Sequence, residues 1–215
     1  MWFSTYYIIT CDLIQSKKVH DRFKVQQELK NAVNAVNERY SNQLLCPFTL
    51  VWGDSFQGAL KSLNGFYNIL DTFEQLISID FRCGVGIGEI STEFSTNTLE
   101  MDGLAFHRSQ EALNTAKKER YYAWISSGNT HFDRMVNTLL TLLYAIKTRW
   151  NDHQRDIIQF RREGMTYEKI GKKKGISKQA VAKILKYTQS KAVFFAIETM
   201  DDLTDIFIKH FEADL

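Results

Sequence analysis

The stretch that most constrains the fold of this chain covers residues 166–186, TYEKIGKKKGISKQAVAKILK, and predicts a helix, a tight turn and a second helix. Gly175 lies where the first helix must stop, because glycine adopts a positive φ without steric cost. Ser177 can cap the second helix by accepting a hydrogen bond from a free backbone N–H. Gly171 leaves room for two helices to cross closely. The apolar positions between these markers are Ile170, Ile176, Val181, Ile184 and Leu185.

The remaining positions of this stretch are basic or polar. The pattern resembles the helix-turn-helix of sigma-factor region 4 and of related bacterial regulators, which implies DNA binding by the second helix. The alternative interpretation is an ordinary helical hairpin with a solvated basic face. The residues that would contact DNA are Lys172, Lys173, Lys174, Ser177, Lys178, Gln179, Lys183 and Lys186, with Lys172 to Lys174 on phosphates.

The net charge of +2 conceals an uneven distribution. Residues 147–191 carry thirteen Lys and Arg against four Asp and Glu, whereas the rest of the chain carries fourteen basic and twenty-one acidic residues. A basic module on an acidic body suggests contact with a polyanion at one end of the protein.

The three cysteines are Cys11, Cys46 and Cys83. Their odd number and the lack of a CxxC pair argue against a disulfide framework, and the apolar runs around Cys11 and Cys83 predict buried thiols. No apolar run approaches eighteen residues, and the N-terminus lacks the pattern of a signal peptide. We therefore expect a cytoplasmic protein in a reducing compartment, without membrane contact.

Hydrophobic periodicity predicts strands at 3–11, 48–52, 55–60, 81–90 and 121–126, and helices at 24–40, from 62 onward and at 102–118. Gly53-Asp54 predicts a two-residue hairpin between the second and third strands. The first six of these elements match a ferredoxin-like α+β sandwich with helices on one face of an antiparallel sheet. Only helices are predicted after residue 130, at 136–146, 152–162, 190–199 and 202–211 besides the pair described above. We predict two domains, 1–127 and 128–215, the second all-α with a helix-turn-helix at about 152–187.

Two aspartates and a glycine-rich strand mark the first domain. Asp12 closes the first strand, Asp54 lies in the hairpin, and Arg82-x-Gly84-x-Gly86-x-Gly88 forms the fourth strand. This arrangement resembles the catalytic domain of class III nucleotidyl cyclases, which implies that Asp12 and Asp54 hold Mg²⁺ or Mn²⁺ and that a nucleotide binds nearby. Glycines on one face of a strand mean that something packs or binds close to the backbone. The expected ligand-binding residues are Asp12, Ser16, Lys17, Asp54, Gln57, Arg82, Gly84 and Gly86.

The resemblance to cyclases fails at one important position. That family carries an asparagine and, four residues later, an arginine that stabilises the transition state. The corresponding residues here, when Gly103 is aligned with the glycine that opens the segment, are His107 and Glu111, with Arg108 as a neighbour. Because a glutamate cannot stabilise developing negative charge, we do not expect cyclisation.

A closer resemblance, to the SatD family of bacterial proteins, covers nearly the whole chain. It rests on D-x-I-x-S-K from Asp12, GDSFQG from Gly53, R-x-G-V-G-I-G-E-I from Arg82 and DGLAFHRSQEAL from Asp102. Proteins of that family are described as regulatory or DNA-binding proteins linked to stress responses. The resemblance implies a DNA-binding transcriptional regulator whose cyclase-like domain senses a nucleotide or another phosphorylated ligand.

Two alternatives to a regulator remain open from the sequence. The protein could be a metal-dependent nucleotidyl transferase or phosphohydrolase that uses Asp12 and Asp54, or a scaffold whose apolar C-terminal helices bind another protein. The site residues also have structural interpretations, with Asp54 as a turn residue, Asp12 as a cap and Arg82 as the partner of a surface acid. Paired half-sites are common for helix-turn-helix proteins, and cyclase-like domains pair across a two-fold axis, so we expect a homodimer.

Overall fold

The structure is a computed structural model that describes residues 5–15, 21–51 and 53–213. The chain forms two compact units, one from Met1–Leu140 together with Asp201–Leu215, and one from Thr141–Met200. We call them the α/β unit and the helical unit. The division into functional domains at 127/128 stays a prediction. No helix in the described ranges is both long and apolar enough to span a membrane.

The α/β unit is a mixed α+β structure built on a five-stranded sheet. Its elements follow the β-α-β-β-α-β order of a ferredoxin-like fold and then add a helix and a strand. The sheet order is β2-β3-β1-β4-β5, antiparallel except for the parallel pair β4–β5. The bounds are β1 Tyr6–Leu13, α1 Arg22–Arg39, β2 Leu44–Leu50, β3 Ser55–Leu60, α2 Phe66–Leu76, β4 Phe81–Gly88, a 3-10 turn Thr98–Glu100, α3 Leu104–Glu119 and β5 Ala123–Ser126.

The two helices of the six ferredoxin-like elements, α1 and α2, pack together on one face of the sheet as expected, and the additional helix α3 covers the other face. On the first face, Phe73 of α2 packs against Phe56 of β3 with ring centroids 4.7 Å apart, in an aromatic core that also includes Phe48 and Phe81. On the other face lies α3, in contact with the glycines of β4. The sheet therefore lies between two buried layers. The layer formed with α3 includes the end of β1, where Asp12 lies.

The connection between β2 and β3 is longer than the predicted two-residue hairpin. β2 ends at Leu50 and β3 begins at Ser55, and the Val51 N–H donates to the Ser55 carbonyl at 2.8 Å. Pro47 lies inside β2 and not at its start, in a strand whose register shifts twice. Proline is tolerated there because β2 is an edge strand, where a missing N–H breaks no inner ladder.

The prediction that Cys11 and Cys83 are buried thiols is wrong, because the structure joins them in a disulfide. The two residues are direct partners in the β1–β4 register, with Cα atoms 4.1 Å apart, and both are fully buried. Cys46 is the free cysteine of the described chain, and burial raises the pKa of its thiol.

The helical part of the chain begins with α4, Thr130–Lys147, which leads from one unit into the other. The helices that follow are α5 Asp152–Arg162, α6 Tyr167–Lys174, α7 Lys178–Tyr187 and α8 Ser190–Ala213. α8 is one continuous helix where the sequence predicted two, since nothing at the predicted break is a glycine or a proline. Its residues from Asp201 onward belong to the α/β unit, where Phe207 stacks on Phe132 at 4.1 Å between centroids.

Candidate functional site

Asp12 lies near the end of β1, opposite two polar residues on the neighbouring strands. The register pairs it with Ser55 of β3 and with Arg82 of β4. Directly paired residues of antiparallel strands project from the same face of a sheet. Asp12 and Arg82, both expected to bind a ligand, are therefore neighbours on the face that α3 covers.

Both carboxylate oxygens of Asp12 are engaged. The Ser55 hydroxyl donates to Oδ1 at 2.5 Å, and the Lys117 ammonium of α3 lies 2.6 Å from Oδ2. The side chains of Asp12 and Lys117 are 21% and 40% exposed, so the ion pair is only partly shielded from water. Lys117 was missed by the sequence reasoning, and it is the closest charged partner of Asp12 in the described chain.

The packing of α3 explains how Lys117 reaches this position. A methyl group added at Gly84 or Gly86 would overlap the carbonyl oxygen of Ser109 or Ala105, respectively, so the helix backbone lies directly on the strand. Lys117 follows Ser109 by two helical turns along the same stripe of α3. The glycines of β4 could have been interpreted as a groove that accepts a helix. With that interpretation, the spacing of Ala105, Ser109 and Lys117 along α3 would have indicated that Lys117 lies near the sheet.

The expectation that Gly84 and Gly86 leave space for a ligand is corrected by the same contacts. The backbone of α3 fills that space, so a ligand has no room beside these two residues. The glycines are required for close packing, which is one of the two explanations that their pattern allowed.

Gln57 belongs to a chain of hydrogen bonds beneath the Asp12 site. Its amide donates to the Thr10 hydroxyl at 2.7 Å, and Thr10 and Ser109 share a hydrogen bond of 2.9 Å. Thr10 and Ser109 are buried, whereas Gln57 is half-buried. This chain links β3, β1 and α3, so it fixes the position of α3 above the sheet.

The remaining residues of the predicted ligand site are less well connected to Asp12. Asp54 is half-buried, and its backbone carbonyl accepts a hydrogen bond from the Leu13 N–H at 3.0 Å. Ser16 and Lys17 lie outside the described residues. Arg82 is half-buried, and its side chain makes no hydrogen bond or ion pair within the ranges that the structure covers.

The residues around Asp12 do not fit a divalent metal ion. Its carboxylate is neutralised by Lys117, and the described residues contain no group of three His, Cys, Asp or Glu side chains that could hold a metal. The expectation that Asp12 and Asp54 hold Mg²⁺ or Mn²⁺ therefore conflicts with the Lys117–Asp12 pair, since such ions are normally held by uncompensated carboxylates.

Arg108, the neighbour of the position where cyclases carry a catalytic arginine, is held in a structural contact. Its guanidinium donates to the Ile87 carbonyl at 2.6 Å and lies against Gly128. Burial raises the pKa of the nearby Asp133 carboxyl, an effect that hydrogen bonds from Ser127 and the charge of Arg108 partly offset. Arg108 is committed to this corner of the α/β unit.

In the helical unit, the local geometry of the predicted turn is confirmed. Gly175 ends α6 with φ 68°, and the Ser177 hydroxyl accepts a hydrogen bond from the Ala180 N–H at 3.1 Å, so Ser177 caps α7. A methyl group at Gly171 would lie 2.6 Å from the Ile176 carbonyl oxygen, so this glycine allows the turn to pass close to α6.

The lysines of α7 differ in their contacts from those at the end of α6. Lys178, Lys183 and Lys186 are exposed on α7, which carries no acidic residue, and Gln179 is exposed beside them. Three lysines at the end of α6 have partners, although two of them remain exposed. Lys172 lies 3.4 Å from Glu168, Lys173 lies over the Phe160 ring at 4.1 Å, and Lys174 bonds to Asp156 at 2.7 Å.

Part of the chain is similar in structure to guanylyl cyclase domains. The matches include the domain of the RhoGC fusion protein from the aquatic fungus Blastocladiella emersonii (14% identity, 53% of this chain and 74% of that chain, TM-score 0.38). A second is the guanylate cyclase domain of RhGC from Catenaria anguillulae in complex with GTP (15% identity, 53% and 74%, TM-score 0.39). The likeness concerns the fold alone.

At the level of family, the SatD family model matches residues 6–203, and the chain belongs to the SatD family. No curated protein was found to match it.

Proposed function

We propose that this protein is a DNA-binding transcriptional regulator that contacts DNA through α7. The observation that carries the proposal is the composition of the exposed face of α7, where three lysines and Gln179 have no acidic neighbour on the helix. The buried face of the same helix consists of Val181 and Leu185, which hold it in the helical unit. In this proposal α6, the turn and α7 act as a helix-turn-helix, with α7 as the recognition helix.

The chemistry of α7 suits the major groove of DNA. Lysine donates to phosphate oxygens or to guanine O6 and N7, and a glutamine amide can pair with the adenine edge. Lys178 and Gln179 lie in the first turn of the helix, the part that points into the groove in such motifs. Lys183 and Lys186 lie further along and would contact the phosphate backbone.

The α/β unit serves in this proposal as a sensor of a phosphate-bearing ligand and not as a catalyst. Lys117 and Arg82 provide positive charge at Asp12, while Arg108 is held by a backbone carbonyl and Glu111 is exposed on α3. Regulation would follow if the ligand changes the affinity for DNA, which is a coupling between two sites. A homodimer reading two half-sites belongs to the same proposal.

Fluorescence anisotropy with a labelled DNA duplex tests the DNA-binding part. The K178A/K183A variant is expected to lose about 1–3 kcal/mol of binding free energy if both lysines make their contacts. The matched control is K24A/K30A, which removes the same charge from exposed positions of α1. Equal losses in the two variants would show that net charge alone is responsible, and no loss in either would exclude α7 as the DNA contact.

The salt dependence of the same binding gives an independent measurement. Each lysine–phosphate contact that is lost should reduce the slope of log K against log salt by about 0.9. A slope near zero for the wild-type protein would contradict a role of these lysines at DNA phosphates.

A further inference from the structure

The Asp12 site combines a carboxylate with a cation that the protein itself supplies. Lys117 lies 2.6 Å from Oδ2, and its helix is held against β4 by contacts that leave no room for a side chain at Gly84. The ammonium is therefore positioned by the packing of α3 and not only by its attraction to Asp12. A fixed cation at this distance occupies the position that a metal ion would need.

The charge around Asp12 opposes a divalent ion for a second reason. Arg82 lies directly opposite Asp12 in the β1–β4 register, so its side chain projects from the same face of the sheet as the Asp12 carboxylate that Lys117 pairs with. A divalent ion entering this site would meet the repulsion of the Lys117 ammonium at short distance, with the positive charge of Arg82 on the same face of the sheet. It would also find Oδ1 already engaged by the Ser55 hydroxyl.

The same arrangement favours an anion. A lysine ammonium has three donors, of which the structure uses one on Asp12, and a guanidinium has five donors in a planar fork that matches phosphate oxygens. The Lys117 side chain makes no other hydrogen bond or ion pair with the described residues, and the Arg82 side chain makes none. Two cations with unused donors on one face of the sheet can hold an oxyanion between them.

We infer that Lys117 takes the place of a metal ion at Asp12, and that the α/β unit binds phosphate groups there through Lys117 and Arg82 without a divalent cation. The phosphate part deepens the proposed sensing function and rests on it. The exclusion of metal stands apart from that function, because it follows from the Lys117–Asp12 pair alone.

Binding of Mn²⁺, followed by the electron paramagnetic resonance signal of the free ion, tests the exclusion of metal without any ligand. Wild-type protein and the D12N variant are expected to bind Mn²⁺ equally weakly, because Asp12 holds no ion in the wild type. K117M should bind one Mn²⁺ at least about tenfold more tightly than wild type, because it removes a fixed like charge from the site. The double variant D12N/K117M should lose this binding.

The matched control is K118M, which removes one charge from the adjacent, exposed position of α3. K118M is expected to bind Mn²⁺ as weakly as wild type. Circular dichroism and thermal unfolding establish that K117M is folded, and K117Q serves in its place if it is not. Mn²⁺ binding in wild type that depends on Asp12 would overturn the exclusion of metal, even if neither Lys117 variant folded.

Calorimetric titration with inorganic tripolyphosphate tests the second half of the inference. The affinity should be the same with EDTA as with Mg²⁺, and R82A should lower it at least about tenfold. Binding that requires Mg²⁺ would overturn the inference and leave the sensing function intact. No binding of tripolyphosphate under either condition would refute both the phosphate site and the sensor role, whereas the DNA-binding part would be judged by its own measurement.

Discussion

The two units of the protein use lysine in opposite ways. In the α/β unit, Lys117 forms an ion pair with the Asp12 carboxylate of the same unit at 2.6 Å. In the helical unit, Lys183 and Lys186 project from a helix without acidic residues. The comparison teaches that the environment of a lysine decides its role. A lysine on a helix packed against a sheet becomes a built-in counter-ion, whereas one on an exposed helix face is available to a polyanion.

The glycines of the two units are also required for different reasons, Gly84 by close packing and Gly175 by its backbone conformation. The largest expected effect comes from a substitution at Gly84. Gly84 is needed because the Ser109 carbonyl lies where a side chain would be, so G84A should destabilise the α/β unit by about 4 kcal/mol or more. The methyl group would meet backbone atoms, which cannot move without displacing α3. Urea unfolding followed by circular dichroism measures the loss.

Gly175 supplies the matched control for this prediction. Nothing lies near a methyl group added there, but its φ of 68° is unfavourable for other residues. G175A should therefore cost only about 1–2 kcal/mol. Equal costs for the two substitutions would mean that the distinction between close packing and backbone conformation does not hold.

The next largest effect on stability is expected from reduction of the Cys11–Cys83 disulfide, which lies within the α/β unit. Cys11–Cys83 closes a long loop, with a sequence separation of 72, so reduction should lower the free energy of unfolding of the α/β unit by about 2–4 kcal/mol. Urea unfolding with and without dithiothreitol measures the change. The C11A/C83A variant should not respond to reductant, and the DNA affinity of the reduced wild-type protein should be unchanged. A reductant effect that persists in the variant would assign it to something other than this bond.

What could be predicted from the sequence was mostly local. Gly175 and Ser177 mark their turn by their own backbone conformation and capping hydrogen bond, which depend on neighbours in the chain. The strands and the helices of the α/β unit could be predicted from periodicity for the same reason. The exposed lysines of α7 followed directly from the helical spacing once that helix was predicted.

What could not be predicted depends on contacts between distant segments. The Cys11–Cys83 bond requires the register of β1 against β4, and the Lys117–Asp12 pair requires the position of α3 on the sheet. Neither register is encoded in a short pattern of residues. The glycines of β4 signalled a close neighbour, but their pattern alone could not distinguish a ligand from the helix that the structure places there.

Lys174 allows paired and unpaired lysines to be compared within the helical unit, because its ammonium is paired with a carboxylate, as that of Lys117 is. Its ammonium bonds to Asp156 at 2.7 Å and its side chain is 22% exposed, so it should contribute little to DNA binding. K174A should weaken DNA binding by no more than about 0.5 kcal/mol, a value within the range of a partly exposed ion pair. K183A is the control and should cost more. A loss in K174A as large as that in K183A would restore the original expectation that Lys174 contacts phosphate.

The smallest effect concerns a buried carboxyl and the pH dependence of stability. Burial raises the pKa of Asp133 above its ordinary value of about 3.9, despite hydrogen bonds from Ser127. The folded state therefore binds the proton more tightly than the unfolded state. The stabilisation from this group is fully present below the ordinary pKa and is lost as the pH rises through the raised, folded-state pKa.

D133N cannot ionise but keeps an oxygen that can accept the hydrogen bond from the Ser127 N–H. Urea unfolding at several pH values from about 3.5 upward gives the unfolding free energies of wild type and D133N. As the pH rises, the wild-type protein should therefore lose stability relative to D133N. E111Q, which removes an exposed carboxylate from α3, is the control and should show no such trend. A difference that moves in favour of wild type with rising pH would mean that the hydrogen bonds and Arg108 outweigh the cost of burying the Asp133 charge.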